Sequence, residues 1–366
     1  MASSEEHELL TRTGLGTPMG CLIRRYWIPA LFSHQLPEPD CHYASSCSAR
    51  NWSHFRDSAG RVGLLGQHCA HRGAPLFFGR NEADGLRCVY HGWKYDVAGN
   101  CVDMPNEPAE SNFKEKIKHL AYPCQERGSV VWTYMGPADL RPGLPEFEWT
   151  LVPTSHRYAT CHLQECNWLQ AVEGGFDVSH IPFLHRGTKG MAGGPIGLAI
   201  EHDALMTDFG LICGGGRDVG GDLMRWNTEL MFPPFHKIIS RFAGDDAPIG
   251  AHAWVPLDDE SCMNYSIEYR HDRPLRDDEM ERSRNWLFIH AETLPGSDRT
   301  LLNKDNDYLI DRELQSSGES FTGIKGTGMQ DCSMQESMGP IADRSREHLG
   351  AGDGPSSPSA GCCCGA

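Results

Sequence analysis

The sequence predicts an α+β protein, in which a small antiparallel β domain precedes a larger domain that combines an antiparallel sheet with helices. The chain has 366 residues, which is more than one ordinary domain needs. Between residues 56 and 145, short apolar runs alternate with turn-forming pairs such as Asp84-Gly85, a pattern typical of antiparallel strands. From residue 160 onward, strand-like and helix-like segments are mixed.

The small domain is expected to follow a helical start. Near the N-terminus, apolar periodicity predicts a short helix, a turn and a basic helix through Arg24 and Arg25. The proline-containing stretch 139–149 is predicted to be the linker that leaves the β domain. The expected boundaries are residues 1–25 for the helical segment, 26–145 for the small β domain, 146–350 for the larger domain and 351–366 for the tail.

The larger domain is expected to begin with a helix over residues 165–180, which Pro182 prevents from continuing far. Strand-like runs follow, with the sequences ALMTDFGLIC, IGAHAWVPL and NYSIEYR. Two further helices are expected around residues 276–290 and 328–348.

Composition excludes several kinds of partner. Lys and Arg number 33 against 49 Asp and Glu, so the net charge of −16 makes nucleic acid and anionic membranes poor partners. No apolar run approaches the ~18 residues that suggest a membrane span, and the acidic N-terminus is unlike a secretory signal. We therefore expect a cytoplasmic protein. In a reducing compartment, the 15 Cys and 18 His indicate metal sites rather than disulfides.

Two segments do not match the predicted domains. Residues 42–55, HYASSCSARNWSHF, lack apolar alternation, and the tail GDGPSSPSAGCCCGA has low complexity. Plausible GC-rich codons for 42–55, read one base out of register, give the strand-turn-strand sequence PLRVKLLGEELVAF. The same shift over 353–366 gives WAVIAVRRLLLRG, an amphipathic helical sequence. We hypothesise that both segments are frame-shifted. The alternative is a polar loop and a disordered tail, and the coding DNA distinguishes the two.

The first candidate metal site combines two Cys and two His. Cys69-Ala70-His71 is followed after 16 residues by Cys88-Val89-Tyr90-His91. Two Cys and two His are typical of a structural zinc site. They also form the ligand set of a Rieske [2Fe–2S] cluster, in which both Cys bind one iron and both His bind the other. Each half of this motif contributes one Cys and one His, which favours the cluster.

The sequence QHCAHRGAPL…LRCVYHGWKYD resembles the Rieske motif of ring-hydroxylating oxygenases. The resemblance implies that Cys69 and Cys88 bind the inner iron, and that His71 and His91 bind the outer one. Ala70 stands where many relatives have Pro, a departure that leaves the four ligands intact.

A second candidate site lies between residues 165 and 185. Glu173, Asp177 and His180 are spaced by four and three residues, so we expect them to share one face of the predicted helix. His185 follows after the helix, where the chain can turn back. Two His and one carboxylate form the facial triad of non-haem Fe(II) oxygenases. The alternative is that both His are ordinary core or surface residues.

The pattern E-G-x-x-D-x-x-H-x4-H resembles the mononuclear iron motif of Rieske oxygenase α subunits. The resemblance implies that His180 and His185 bind Fe2+. It also implies that Asp177 is the catalytic carboxylate that conducts electrons from the Rieske His of a neighbouring subunit. Such a carboxylate also orients the ligating His.

The third iron ligand must come from far along the chain. Asp331 is preferred, because it begins a late helical segment and its spacing to Glu336 resembles the family pattern. The alternative role for Asp331 is a helix N-cap. The candidates are Asp305, Asp307, Asp311 and Asp331.

Further stretches, among them ELLTRTGLGTPMGCLIRRYWIPA and FTGIKGTGMQD, extend the resemblance over nearly the whole chain, and they resemble the phthalate 4,5-dioxygenase group. It implies a helix-grip-like catalytic domain, with one [2Fe–2S] cluster and one Fe2+ in each subunit of a homotrimer or hexamer. Electrons would come from an NAD(P)H-dependent reductase. The enzyme would use dioxygen to hydroxylate, dihydroxylate or O-demethylate an aromatic substrate, expected to carry a carboxylate.

Three alternatives remain open from the sequence. They are a Rieske-type electron-transfer protein without oxygenase activity, a zinc-stabilised binding module and an inactive frame-shifted copy. The size of the second domain and its pair of His disfavour the first, and the alternating Cys and His disfavour the second. Residue type alone suggests four anchors for a substrate carboxylate, namely Arg217, His236, Arg241 and Asn303.

Overall fold

The computed structural model describes most of the chain and divides it into two compact units. The small unit is Arg24–Leu151, and the large unit comprises the described residues of Met1–Ile23 and Val152–Ala366. None of the described helices is long and apolar enough to span a bilayer. The described residues are 4–36, 52–177, 179–187, 201–219, 222–231, 236–240 and 247–350.

The described part of the small unit consists of short antiparallel strands, several 3-10 turns and one α-helical turn, α3 (Glu148–Leu151). Its sheets have the strand orders β1-β10-β9, β2-β3-β8 and β4-β5-β6-β7. The strands are β1 (Trp27–Phe32), β2 (Trp52–Arg56), β3 (Val62–Gly66), β4 (Arg80–Glu82), β5 (Gly85–Arg87), β6 (Lys94–Tyr95), β7 (Cys101–Asp103), β8 (Ala121–Tyr122), β9 (Cys124–Arg127) and β10 (Val130–Tyr134).

One core cluster of this unit lies directly behind the Cys/His loops. Leu65, Leu76, Leu86 and Tyr95 are fully buried in it, together with Cys69. Short strands need such a shared core, because an isolated hairpin is marginally stable in water. This core therefore holds the two Cys/His loops, one between β3 and β4 and the other between β5 and β6.

The large unit is built on one antiparallel sheet with the strand order β11-β17-β16-β15-β14-β13-β12. The strands are β11 (Arg157–Gln164), β12 (Glu201–Thr207), β13 (Gly210–Val219), β14 (Asp222–Met231), β15 (His236–Ser240), β16 (Ile249–Pro256) and β17 (Cys262–Tyr269). The helices are α1 (Ser4–Thr11), α2 (Pro18–Ile23), α4 (Trp168–Phe176), α5 (Ile181–Leu184), α6 (Asp277–Arg284), α7 (Arg312–Ser317) and α8 (Thr327–Ser337). Helix α4 packs on α8 and on β16. The α+β prediction is confirmed.

Several helix limits differ from the expectation. Helix α2 ends at Ile23, so the predicted basic helix through Arg24 and Arg25 is wrong. The helix expected over 165–180 begins after the N-cap Asn167 and ends at Phe176. It stops because Asp177 is extended, with φ −65° and ψ 126°.

The late helices are also shorter than expected. Helix α6 ends at Arg284, and α8 ends at Ser337 rather than near residue 348. Of the segment 42–55, only residues from Trp52 onward lie within the described part, where they form β2. Residues 42–51 and the tail from 351 lie outside the described residues, so residues 52–55 are the one described part of the two segments hypothesised to be frame-shifted.

Candidate metal centres

The two Cys/His loops of the small unit share the same pattern of backbone hydrogen bonds. In the first, Cys69 N–H donates to Ala74 O, and Gly73 N–H donates back to Cys69 O, both at 2.9 Å. In the second, Cys88 N–H donates to Trp93 O at 2.8 Å, and Gly92 N–H donates to Cys88 O at 3.0 Å.

A glycine closes each loop. Gly73 and Gly92 have φ values of 70° and 80°, which L side chains rarely adopt. At Gly92 a Cβ would also lie 2.7 Å from Pro105. The loops thus depend on glycine at these two positions.

The donor set of these loops fits an iron–sulfur cluster. The rings of His71 and His91 have centroids 4.4 Å apart, while Cys69 and Cys88 are 3% and 2% exposed. Nδ1 of His71 is buried and has no hydrogen-bond partner among the described residues. A buried nitrogen without a partner is costly unless a metal binds it. Thiolates on the buried side and imidazoles towards the surface match the two ends of a Rieske cluster.

Neighbouring side chains brace the second loop. Arg87 hydrogen-bonds to Gly92 O, and it forms ion pairs at 2.7 Å with Glu82 and Asp103. These contacts hold the arginine pKa above its usual value, although burial acts in the opposite sense.

Two further contacts at these loops could not be predicted from the sequence. Trp93 stacks on His71 with centroids 4.5 Å apart, and the phenol of Tyr95 lies 3.1 Å from Sγ of Cys69. Both residues belong to the quoted motif, but residue type alone does not identify their contacts.

The mononuclear site begins where helix α4 ends. The Asp177 carboxylate accepts hydrogen bonds from Ser179 and lies 3.2 Å from Nδ1 of His180. Burial opposes ionisation of Asp177, but these hydrogen bonds outweigh it and lower its pKa to about 2. Asp177 and His180 therefore meet through this turn and not on the predicted helical face, while Glu173 pairs with Arg344 instead.

Three side chains of the large unit converge on one point. Nε2 of His180 and Nε2 of His185 lie 3.2 Å apart, and each is 3.3 Å from Oδ1 of Asp331. Among the described residues, they are the one group of His, Cys, Asp or Glu whose ligand atoms lie close enough together to hold a single metal ion. Asp331 lies in the second turn of α8, which begins at Thr327, so it is not the N-cap considered above.

The triangle of donor atoms fits a metal ion. Its centre lies ~1.9 Å from each donor atom, close to the ~2.1 Å bonds that His and carboxylate ligands make to a metal ion. Although burial lowers the pKa of His180, hydrogen bonds to Asp177 and Asp331 raise it to about 9. A bound cation would take the place of that proton.

The other candidate carboxylates lie elsewhere. Asp305 pairs with Arg299 at 2.6 Å, and Asp311 caps helix α7. Asp307 lies in a 3-10 turn with a φ of 52° and is not part of the convergent group. Of the four candidates, the structure brings Asp331 alone to the two His.

A cavity of about 70 Å³ adjoins the three converging residues. Its apolar wall includes Trp254 and Phe288, and its polar wall includes His252 and Asn264. His252 stacks on Trp254, and its Nδ1 lies 3.2 Å from Oδ1 of Asn264. The sequence did not single out His252 or Asn264.

Of the four suggested carboxylate anchors, Asn303 is the one whose side chain lies within the described residues, and it does not line this cavity. Asn303 caps the 3-10 turn that begins at Lys304. Arg217 and His236 lie in β13 and β15, but their side chains are outside the described part, and Arg241 lies outside it altogether.

Two parts of the sequence match known protein families. Residues 26–122 match the Rieske [2Fe-2S] domain, and residues 245–355 match the family described as LigXa C-terminal domain like. The first match contains all four residues of the Cys/His loops, and the second contains Asp331.

Two relatives are similar over almost the entire chain. The 3-chlorobenzoate-3,4-dioxygenase oxygenase subunit of Comamonas testosteroni is 36% identical, covering 96% of this chain and 86% of the relative. The phthalate 4,5-dioxygenase oxygenase subunit of Pseudomonas putida is also 36% identical, covering 96% and 83%. Among solved structures, the oxygenase in the reduced complex with ferredoxin of carbazole 1,9a-dioxygenase has the same fold. Its TM-score is 0.62 at 18% identity, with 95% and 88% coverage.

Proposed function

Because the chain belongs to the family of Rieske-type aromatic oxygenase subunits, we propose that it oxidises an aromatic carboxylate with dioxygen and electrons from an NAD(P)H-dependent reductase. It is a terminal oxygenase with a [2Fe–2S] cluster and a mononuclear iron. The convergence of His180, His185 and Asp331 carries the proposal, since a pure electron carrier has no need of a second site.

The residues divide the work between two centres. Cys69, Cys88, His71 and His91 would hold the cluster, and His180, His185 and Asp331 the iron. When bound, the iron supplies the site at which dioxygen is activated. The three side chains that would hold the ion line the same cavity as Trp254 and Phe288, whose rings can face an aromatic substrate.

Asp177 would connect the two kinds of centre. It contacts His180, and its side chain is 24% exposed, so a neighbouring subunit can approach it. We expect it to face a Rieske His of that neighbour in a head-to-tail homotrimer or hexamer, a closed heterologous assembly. The solved complex with ferredoxin supports an external redox protein as the electron donor.

An aromatic carboxylate is the substrate class that the relatives favour, since their names specify 3-chlorobenzoate and phthalate. Among the described residues, the cavity wall contains neither Lys nor Arg. A carboxylate placed there would instead accept hydrogen bonds from His252 and Asn264. Hydroxylation, dihydroxylation and O-demethylation all require the same iron site, so the choice among them depends on how the ring is placed.

The test combines metal analysis with a product screen. Purified protein should contain acid-labile sulfide, a Rieske visible spectrum and one iron beyond the cluster. With a reductase, NADH and a panel of substituted benzoates, labelled dioxygen should enter the product. Cluster iron alone would indicate the electron carrier, and zinc without sulfide would indicate the binding module. Full metal content without any product would count against an aromatic carboxylate substrate.

A further inference from the structure

The amide of Gln330 joins His185 to the helix that carries Asp331. Gln330 is 1% exposed, and its Oε1 lies 2.7 Å from Nδ1 of His185. Its Nε2 donates a hydrogen bond to the carbonyl of Ile324 at 2.8 Å. Because a carbonyl can only accept, this second bond fixes which end of the amide faces the imidazole.

The fixed amide in turn fixes the tautomer of the imidazole. An amide oxygen accepts but does not donate, so Nδ1 of His185 must carry the proton and Nε2 the lone pair. Nε2 is the atom that faces Asp331 at 3.3 Å. We infer that Gln330 is a positioning residue that holds His185 in the tautomer and orientation needed to bind iron. The inference rests on the proposed ligand assignment of His180, His185 and Asp331.

The two imidazoles have supports of different character. His180 faces the partly exposed carboxylate of Asp177, whereas His185 faces a buried, neutral amide. A neutral acceptor orients a ring without adding a charge that burial would penalise. This division suits a site in which one ligand faces an electron donor and the other faces the protein interior.

The same amide also joins the ligand segment to its neighbouring loop. The carbonyl of Ile324 belongs to a segment whose Phe321 N–H donates to Arg186 O at 3.0 Å. Gly187, with a φ of 88°, packs so closely on Glu319 that a Cβ would lie 2.1 Å from its carbonyl oxygen. Gln330 therefore helps to hold three parts of the chain together around His185. They are the segment 321–324, helix α8 and the residues that follow His185.

The test measures the affinity of the mononuclear site for Fe(II). Full-length protein with its cluster intact is depleted of mononuclear iron, and Fe(II) is then titrated against a competing chelator. We expect Gln330→Leu to bind Fe(II) ~10–100-fold more weakly than the parent, with unchanged cluster absorption. Gln330→Glu keeps an acceptor oxygen towards His185 and should bind more tightly than Gln330→Leu.

Gln170 provides a matched control. It is 5% exposed and makes three hydrogen bonds to the backbone, at Gln335, Gly339 and Ala342, but it does not contact a ligand imidazole. Gln170→Leu should lower thermal stability and leave Fe(II) affinity unchanged. Parent-like affinity in Gln330→Leu overturns the inference, and so does an equal loss of affinity in Gln170→Leu.

A failure of the ligand assignment itself gives a different result. If His185→Ala binds Fe(II) as tightly as the parent, the proposed iron site is wrong. If His185→Ala loses binding and Gln330→Leu does not, only the role of Gln330 is wrong. Should Gln330→Leu not fold, Gln330→Met fills the same volume without a strong acceptor, and the same outcomes apply to it.

Discussion

The phenol of Tyr95 lies 3.1 Å from Sγ of Cys69, and both side chains are buried. A thiolate bound to iron has no proton to donate, so the phenol must be the donor. Burial and this contact both raise the pKa of Tyr95 above its usual value, which keeps the phenol protonated. A hydrogen bond to a cluster sulfur stabilises the more negative, reduced state and raises the reduction potential.

Tyr95→Phe should therefore lower the reduction potential of the cluster. A hydrogen bond to a charged group contributes ~1.5 kcal/mol, which corresponds to about 60 mV for a one-electron couple. The potential can be measured by a redox titration followed through the visible spectrum. The expected shift is negative, with the cluster content unchanged.

Tyr134→Phe is the control for this shift. Tyr134 is 1% exposed in the same unit, and its phenol donates to Pro137 O at 2.9 Å rather than to a cluster ligand. Its loss should alter stability without moving the potential. Equal shifts in both variants would show that the effect comes from general loosening of the small unit.

The cluster loops could be predicted because Cys69, His71, Cys88 and His91 lie close together in sequence and their spacing is specific. The contact of Tyr95 with Cys69 could not, because strand pairing decides which side chain faces the sulfur. Local spacing also predicted His180 and His185 as metal ligands. The spacing predicted the wrong geometry for Asp177, because the helix expected to reach residue 180 ends at Phe176, one residue before Asp177.

Contacts between distant parts of the chain were the least predictable. Gln330 and His185 are 145 residues apart, and nothing in the residue type of Gln330 marks it as a partner of a metal ligand. Asp331 was identified among four candidates by the pattern with Glu336. Glu336 itself accepts hydrogen bonds from Glu165 N and from the phenol of Tyr308, as expected of a structural residue.

Asp177→Asn should separate metal binding from turnover. The amide can still accept from His180, so both metal centres should load, but the carboxylate proposed to carry electrons is lost. We expect turnover to fall by up to ~100-fold, since the loss of a carboxylate that orients a metal ligand typically costs about 10–100-fold. Iron and sulfide content and product formation are measured on the same sample. Normal turnover would refute the electron bridge.

Asp311→Asn makes the same chemical change away from the site. Asp311 caps α7 by accepting from Glu313 N and Leu314 N, and Asn caps helices equally well. Turnover should stay at the parent level. A matching loss in Asp311→Asn would assign the effect of Asp177→Asn to folding.

His252→Phe tests the polar wall of the cavity. The ring can still stack on Trp254, but the hydrogen bonds that His252 offers are lost. If a substrate carboxylate accepts from His252, KM for a substituted benzoate should rise ~10-fold for a lost bond of ~1.5 kcal/mol to a charged group. KM for the matching benzamide should rise less. Equal effects on both would exclude a carboxylate contact.

Strand β2 buries two polar side chains, those of Ser53 and His54. Ser53 is 0% exposed and His54 2%, and within the described part of the chain neither side chain has a hydrogen-bond partner. Unpaired buried polar groups cost ~1–3 kcal/mol each. The frame-shifted reading places Val and Ala at these two positions, which are residues that a strand facing the core prefers. The frame-shift hypothesis would explain why two polar residues stand at these buried positions.

The double variant Ser53→Val/His54→Ala should unfold at a higher temperature than the parent, and more so in acid. Burial lowers the pKa of His54 from 6.5 to about 4, so between these values the unfolded state binds a proton that the folded state does not. His54 makes the parent lose up to ~3 kcal/mol of stability as pH falls through this window, and the variant lacks this contribution. Thermal melts at pH 7.5, 6.5 and 5.5 measure the difference. His34→Ala, an exposed change in the same unit, should follow the parent; a constant gain at all three pH values would mean that His54 is not buried as a neutral base.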